Sequence, residues 1–172
     1  MDENYLQRFV YRFWTHLLSG EMVNIDETTF QVLREPDRKN TTKSYLWSFR
    51  GGTKEHPAVI FEYHRTRNGD FLKDIFQDYQ GYVMTDGYHE YERPLLWVGK
   101  IGYSEEVRVV RMRLLLFTSI TESAKANGHE PCWYWRYVLE RLPYIRTNEE
   151  LDTLLPWIVK PEFIKAYFSN KK

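Results

Sequence analysis

The amino-acid sequence predicts an α+β fold, in which a mixed sheet in the order β-β-β-α-β precedes a segment of helices. Residues 21 to about 92 consist mainly of short β-type runs separated by polar turns. One helix-type spacing interrupts these runs before the fourth of them. Beyond residue 104, helical patterns alternate with capping residues and prolines. We therefore expect an N-terminal helix at 1–20, a sheet core at 21–92 and a helical segment at 93–172.

The first elements are a helix and a three-stranded antiparallel meander. Apolar residues at helical spacing predict a helix over 4–18, which residues 19–20 end. β-branched and aromatic residues predict three strands, at 22–33, 44–49 and 58–63. The glycines at 51–52 are expected to close the second strand. Because the polar connections are short, consecutive strands should be antiparallel neighbours.

A second helix and a fourth strand complete the predicted sheet. Residues 71–76 have helical spacing, and Asp70 is placed to cap their N-terminus. The run at 81–85 is a short strand that Asp86 and Gly87 end. A helix between the third and fourth strands allows the fourth strand to run parallel to an earlier one.

The helical segment is predicted from its caps and prolines. A long helix begins at Ser104 and ends at residues 127–128. A second helix begins at Pro131 and stops before Pro143. Asn148 is the expected cap of a shorter third helix.

Composition and charge exclude several classes of protein. A chain of 172 residues is one ordinary domain with at most a small appendage. The single cysteine excludes an internal disulfide and a cysteine-based zinc cage. Basic and acidic side chains both number 24, so any attraction to nucleic acid has to be local. No apolar run reaches the roughly 18 residues of a membrane span and the start is too charged for a secretion signal, so we expect a cytoplasmic protein with no membrane contact.

Two aspartates stand at positions that suggest a metal site. Asp26 lies inside a predicted strand, where aspartate is depleted, and Asp86 follows the fourth strand. If the fourth strand runs parallel beside the first, the two carboxylates approach each other, and they repel unless a cation lies between them. Mg²⁺ suits such a pair, and two metal ions about 4 Å apart support an in-line displacement at phosphate. Each residue also has a plainer interpretation, Asp26 as a solvated edge position and Asp86 as part of an Asp-Gly turn.

A local basic cluster is the candidate nucleic-acid contact. It lies in and beside the turn between the first two predicted strands and consists of Arg34, Arg38, Lys39 and Lys43. Such residues contact phosphates, and nearby aromatic side chains are available for stacking on bases. A solvated surface of mixed charge explains the cluster equally well. The five histidines show no metal-ligand spacing, so we expect surface or capping roles for them.

Several segments, taken in order, resemble bacterial transposases of the insertion sequence sixty-six family. In the sheet core they are IDETTFQVL at 25–33, EPDRK at 35–39, KSYLW at 43–47, PAVIFEY at 57–63 and GYVMTDGY at 81–88. The later segments resemble the C-terminal helical part of that family and are ESAKANGHEP at 122–131, YVLERLP at 137–143 and LLPW at 154–157. The resemblance covers about 21–92 and 118–157.

The resemblance implies a partial RNase H-like core and a DDE active site. Such a site holds two Mg²⁺ (or Mn²⁺) ions and catalyses phosphoryl transfer on DNA. By motif, Asp26 matches the first acid and Asp86 the second. The implied partners are DNA, in the form of transposon ends, and either a full-length transposase or a second copy of this chain. The implied location is the bacterial cytoplasm, at most in association with the nucleoid.

The chain departs from the family pattern after Asp86. A long family segment that carries the third acid is missing there, and so is the family's N-terminal DNA-binding region. The resemblance is therefore to an internally deleted and N-terminally truncated transposase. Glu92, in a Glu-Arg-Pro context only six positions after Asp86, is the candidate third acid. Helix-dipole or solvated-face roles explain the other candidates better, namely Glu105, Glu106 and Glu122.

Three functions remain open at this point. The first is a transposase-like protein of DNA transposition whose catalysis is impaired by the missing third acid. The second is a non-catalytic regulator that binds DNA or a full-length transposase. The third is a decayed fragment, in which an open sheet edge would promote aggregation.

Overall fold

The order of elements confirms the predicted α+β arrangement. The computed structural model describes residues 3–33, 35, 37–85 and 105–169 of the chain. Along the chain its helices and strands are α1 (Glu3–Leu17), β1 (Met22–Gln31), β2 (Lys43–Gly52), β3 (Pro57–His64), α2 (Asp70–Phe76), β4 (Tyr82–Met84), α3 (Glu105–Ala126), α4 (Pro131–Arg141), α5 (Asn148–Asp152) and α6 (Pro161–Ser169). A 3₁₀ turn over Leu142–Tyr144 follows α4.

The four strands form one mixed sheet in the spatial order β3-β2-β1-β4. β2 pairs antiparallel with β1 on one side and with β3 on the other, as expected of a meander with short connections. β4 pairs parallel with β1. The helix α2 provides the crossover that a parallel neighbour requires, so the predicted topology of the fourth strand is confirmed.

One face of the sheet packs against α1 and α2. Strand side chains alternate between the two faces, and those that point to this face are buried. The sheet contributes Val23, Ile25, Trp47, Phe49 and Ile60, and the two helices contribute Phe9, Phe13, Leu17, Leu72 and Phe76. This apolar layer fixes which residues of β1 point away from the core.

The helix α1 also joins the sheet to the C-terminal helices. The ring of Phe13 lies edge-on to that of Trp157, with 4.9 Å between centroids, and the His16 ring stacks on the same indole at 4.0 Å. Arg12 forms a two-pronged ion pair with Asp152 of α5. The sheet and the C-terminal helices therefore share one packed core.

Three predicted boundaries are wrong, each for a local reason. β2 continues through residues 51–52, which pair with Ala58 and Pro57 of β3, and Gly51 packs so closely against α1 that a Cβ there would lie 2.8 Å from the Leu17 carbonyl oxygen. Asp70 is the first residue of α2, and the preceding Gly69 is its N-cap. Thr147, not Asn148, caps α5, where its hydroxyl accepts the Glu150 N–H in a capping box.

Two further points concern the helices. The last helix, α6, has no counterpart in the predicted elements. The predicted cap of α3, Ser104, lies outside the described residues. Among the helices that the structure describes, none combines the length and the apolar character needed to cross a bilayer.

Candidate functional site

Asp26 lies on a central strand of the sheet with its side chain exposed. Val23 and Ile25 are buried against the helices, whereas Asn24, Asp26 and Thr28 are exposed, as the alternation of a strand requires. Asp26 pairs in register with Ser48 of β2, whose hydroxyl donates to the Asp26 carbonyl at 3.4 Å. The position is therefore not on an edge strand, because β1 has neighbours on both sides.

The parallel pairing of β1 with β4 ends close to Asp26 in the sequence of β1. Its three registered pairs end with Asn24 opposite Met84. Asp26 is two residues beyond Asn24. Asp86 is likewise two residues beyond Met84 in the sequence, but it lies outside the described residues. The strand order and direction that bring these two chain segments together are those that the sequence predicts.

Glu27, the neighbour of Asp26, faces the opposite side of the sheet. Its side chain is 2% exposed and accepts both the Nε and a terminal guanidinium nitrogen of Arg67, the Nε at 2.6 Å. Arg67 is a third exposed and lies in the connection between β3 and α2. Sequence reasoning missed this pair, although the alternation of β1 places Glu27 on the same face as Val23 and Ile25.

Of the candidate third acids, Glu122 is the one whose side chain the structure describes. Glu92 lies outside the described residues, and Glu105 and Glu106 belong to the first turn of α3. Glu122 is on the surface of α3, where its carboxylate accepts the Lys125 ammonium at 2.7 Å, as expected of a solvated helix face. Within the described residues, no group of three or more His, Cys, Asp or Glu side chains is placed to hold a metal ion.

The predicted basic cluster is partly neutralised by a buried carboxylate. Glu35 is 8% exposed and sits in the connection between β1 and β2. It binds the Arg38 guanidinium at 3.3 Å, the Arg65 guanidinium at 3.2 Å and the Tyr63 hydroxyl at 2.9 Å. Burial of a charge is costly unless the charge is paired, and these three donors offset that cost for the Glu35 carboxylate.

The other members of the cluster have different surroundings. Lys39 and Lys43 are exposed beside the Glu35 network, and Arg34 lies outside the described residues. An exposed lysine carries a mobile charge that suits a phosphate contact. Arg38, by contrast, already binds both Glu35 and the Ser44 hydroxyl, the latter at 2.9 Å.

Comparison with known families agrees with this arrangement. The fold class is α+β, with a mixed sheet that has an exposed acid on a central strand and is followed by packed helices. The fold class alone does not give the activity of the protein. The model of the transposase IS66 family matches residues 2–100, and that of the IS66 C-terminal element matches residues 119–157. The first match alone includes 99 of the 172 residues, so the chain belongs to the IS66 transposase family. No curated protein and no solved structure matches the chain.

The two matched regions pack together in the structure. The first contains α1 and the four-stranded sheet, and the second contains the last two turns of α3, α4 and α5. Family membership suggests a function related to transposition. Transposases of the DDE type typically use divalent metal ions.

Proposed function

We propose that this protein is a transposase-like protein of DNA transposition whose DDE-type phosphoryl transfer on DNA is impaired, with Asp26 and Asp86 as the metal-binding acids and Glu92 as a weak third acid. One observation carries the proposal. The parallel register of β1 and β4 ends two residues before Asp26 on one strand and two residues before Asp86 on the other. If β4 continued by two residues in the same register, Asp86 would lie opposite Asp26 on the same face of the sheet.

The residues present fit a hard divalent cation. Asp26 is exposed, and among the residues that the structure describes no cationic side chain is paired with its carboxylate. Carboxylate oxygens are the ligands that Mg²⁺ prefers, with open positions left for phosphate oxygens and water. When bound, the metal supplies charge neutralisation at the phosphate. The role of Asp26 would be to bind the metal ion beside the end of the β1–β4 pairing.

Two acids hold metal ions less firmly than three, so we expect little or no strand transfer. Lys39 and Lys43, together with Arg34, are the proposed phosphate contacts. Transposon-end DNA is the proposed substrate. The surface that carries Lys39 and Lys43 is formed by the β1–β2 connection and the start of β2, so DNA bound there would run beside the end of the sheet farthest from the β2–β3 turn.

Metal binding is the first test. Mn²⁺ titrated into the full chain, followed by the loss of its free electron paramagnetic resonance signal, should show binding that D26N and D86N each abolish. The matched control is D74N, which makes the same chemical change at an exposed position of α2. Equal binding by the wild-type chain and D26N would refute Asp26 as a metal ligand.

DNA binding is a separate test. The replacement of Lys39 and Lys43 together by glutamine should lower the slope of log affinity against log salt by about 2, because each lysine neutralises one phosphate. Lys54→Gln, at the exposed β2–β3 turn, is the matched control and should leave the slope unchanged. An unchanged slope in the double variant would remove these lysines from the DNA surface.

The assay of DNA joining separates the catalytic proposal from the regulatory alternative. The wild-type chain is incubated with Mg²⁺ or Mn²⁺ and DNA ends that carry a free 3′-hydroxyl. Efficient joining that D26N abolishes would show that catalysis is intact and would refute the expected impairment. Inhibition of a full-length transposase by both the wild-type chain and D26N would instead favour the non-catalytic regulator.

A further inference from the structure

A row of three polar side chains on α3 lies against the outer edge of the sheet. Ser119, Ser123 and Asn127 are spaced four residues apart, so they lie on the same side of α3. Asn127 directly follows the last residue of that helix. The two serines are buried, at 1% and 0% exposure. Among the strands that the structure describes, β3 is the last on this side of the sheet, so its outward backbone groups have no strand neighbour there.

Each member of the row binds one backbone position of β3. The Phe61 N–H donates to Ser119 Oγ at 2.9 Å. Ser123 Oγ accepts the Val59 N–H at 2.8 Å and donates to the Val59 carbonyl at 2.9 Å. Asn127 Nδ2 donates to the Pro57 carbonyl at 2.7 Å. Side chains of α3 and its C-terminal end therefore bind the Phe61 N–H, both outward groups of Val59 and the Pro57 carbonyl.

Helix and strand geometry explain why the row matches the edge. Four helical residues rise about 6.0 Å. Two residues of a strand span about 6.6–6.8 Å. The helix runs antiparallel to β3, so each turn delivers one polar side chain to the next outward residue of the strand. Ile120 and Ala124, both fully buried, hold the helix in place between the serines.

We propose that this row keeps the chain from pairing with a second copy of itself along β3. An uncovered edge strand is a template for another strand. The N–H and the carbonyl of Val59 both point outward, because Ser123 binds both of them. This is the arrangement of a hydrogen-bonded antiparallel pair, so a two-fold axis at Val59 would let two identical edges exchange both bonds. A second copy is therefore the partner that this edge would fit once α3 no longer covers it, and the inference does not depend on the proposed catalytic site.

The test uses the full chain and the variant S119A/S123A. Both alanines retain helix propensity but remove the groups that bind the Val59 and Phe61 amides. We expect amide hydrogen exchange at these two residues, followed by NMR, to become about tenfold faster in dilute solution. We also expect a dimer to form as the concentration rises, measured by sedimentation, with the Val59 amide protected again in the dimer. The matched control is S169A on α6, whose hydroxyl donates to the Lys165 carbonyl within its own helix.

Each outcome decides the proposal. A double variant that stays monomeric at all concentrations refutes it, as does a dimer in which the Val59 amide still exchanges quickly. Dimerisation of S169A to the same extent refutes it too. If the double variant does not fold, the single variant S123A decides by the same two measurements. A concentration-dependent dimer in which the Val59 amide is protected supports the proposal, and a chain that stays monomeric at all concentrations refutes it.

Discussion

Replacement of Arg67 by methionine should destabilise the protein by about 2–3 kcal/mol. The change leaves the Glu27 carboxylate in place, with a side chain only 2% exposed and without its guanidinium partner. Removal of one partner from a fully buried ion pair costs about 3–5 kcal/mol. Arg67 is 33% exposed, so its loss admits water to the remaining carboxylate, and we place the cost at or just below the lower end of that range.

Urea unfolding followed by tryptophan fluorescence measures this cost. With a slope of about 2 kcal/mol per M, the midpoint should fall by about 1 M. The double variant Glu27→Met/Arg67→Met should recover most of the loss, because apolar side chains of similar volume replace both charges beside Trp47, the cross-strand neighbour of Glu27.

A surface ion pair supplies the matched control for this prediction. Lys125 and Glu122 are 52% and 38% exposed, so Lys125→Met should cost no more than about 0.5 kcal/mol. The reasoning is refuted if Arg67→Met is no more destabilising than Lys125→Met. It is also refuted if the double variant is as unstable as the single one, because the cost would then come from packing and not from an unpaired buried charge.

Two other predictions concern the core and the pH dependence of stability. Phe13→Ala should lower the free energy of unfolding, measured in urea, by about 3–5 kcal/mol, because the ring is fully buried beside Trp157. Tyr11 is 67% exposed on the same helix, so Tyr11→Ala should change the free energy of unfolding by no more than about 0.5 kcal/mol. Equal costs would contradict the role of α1 in the core. The pKa of Asp70 is lowered, first by the hydrogen bond from Lys73, so its ionised form adds a small stabilisation above its unfolded pKa that is lost as pH falls through the folded one. The difference in urea midpoint between the wild-type chain and D70N should therefore shrink as the solution is acidified below the ordinary aspartate pKa of 3.8, and a difference that grows would contradict this sign.

The sheet topology could be predicted because it depends on local signals. Strand alternation, short polar connections and one intervening helix together determine the pairing of β1 with β2 and with β4. The cap of α5 was also readable, since Glu150 follows Thr147 by three residues as a capping box requires. α6 begins at Pro161, a favourable first helical position, and its apolar residues recur at helical spacing.

Other features depend on contacts that are distant in the sequence. The need for glycine at residue 51, inside β2, depends on the close approach of Leu17 from α1, which no local pattern indicates. Likewise, the engagement of Arg38 depends on how the β1–β2 connection places Glu35 against Tyr63 of β3. The residue types in a basic cluster indicate possible phosphate contacts, but the carboxylate that neutralises part of the cluster is a property of the folded chain.

The adjacent acids of β1 show how one constraint orients the candidate site. Asp26 and Glu27 face opposite sides of the sheet, and a slip of one residue in register would exchange them. Such a slip would bury Asp26 and move Glu27 away from Arg67, so the ion pair between Glu27 and Arg67 would be lost. Arg67 lies in the chain that leads into α2, the helix that makes β4 parallel to β1. The same connection therefore determines both the direction of β4 and the face on which Asp26 is presented.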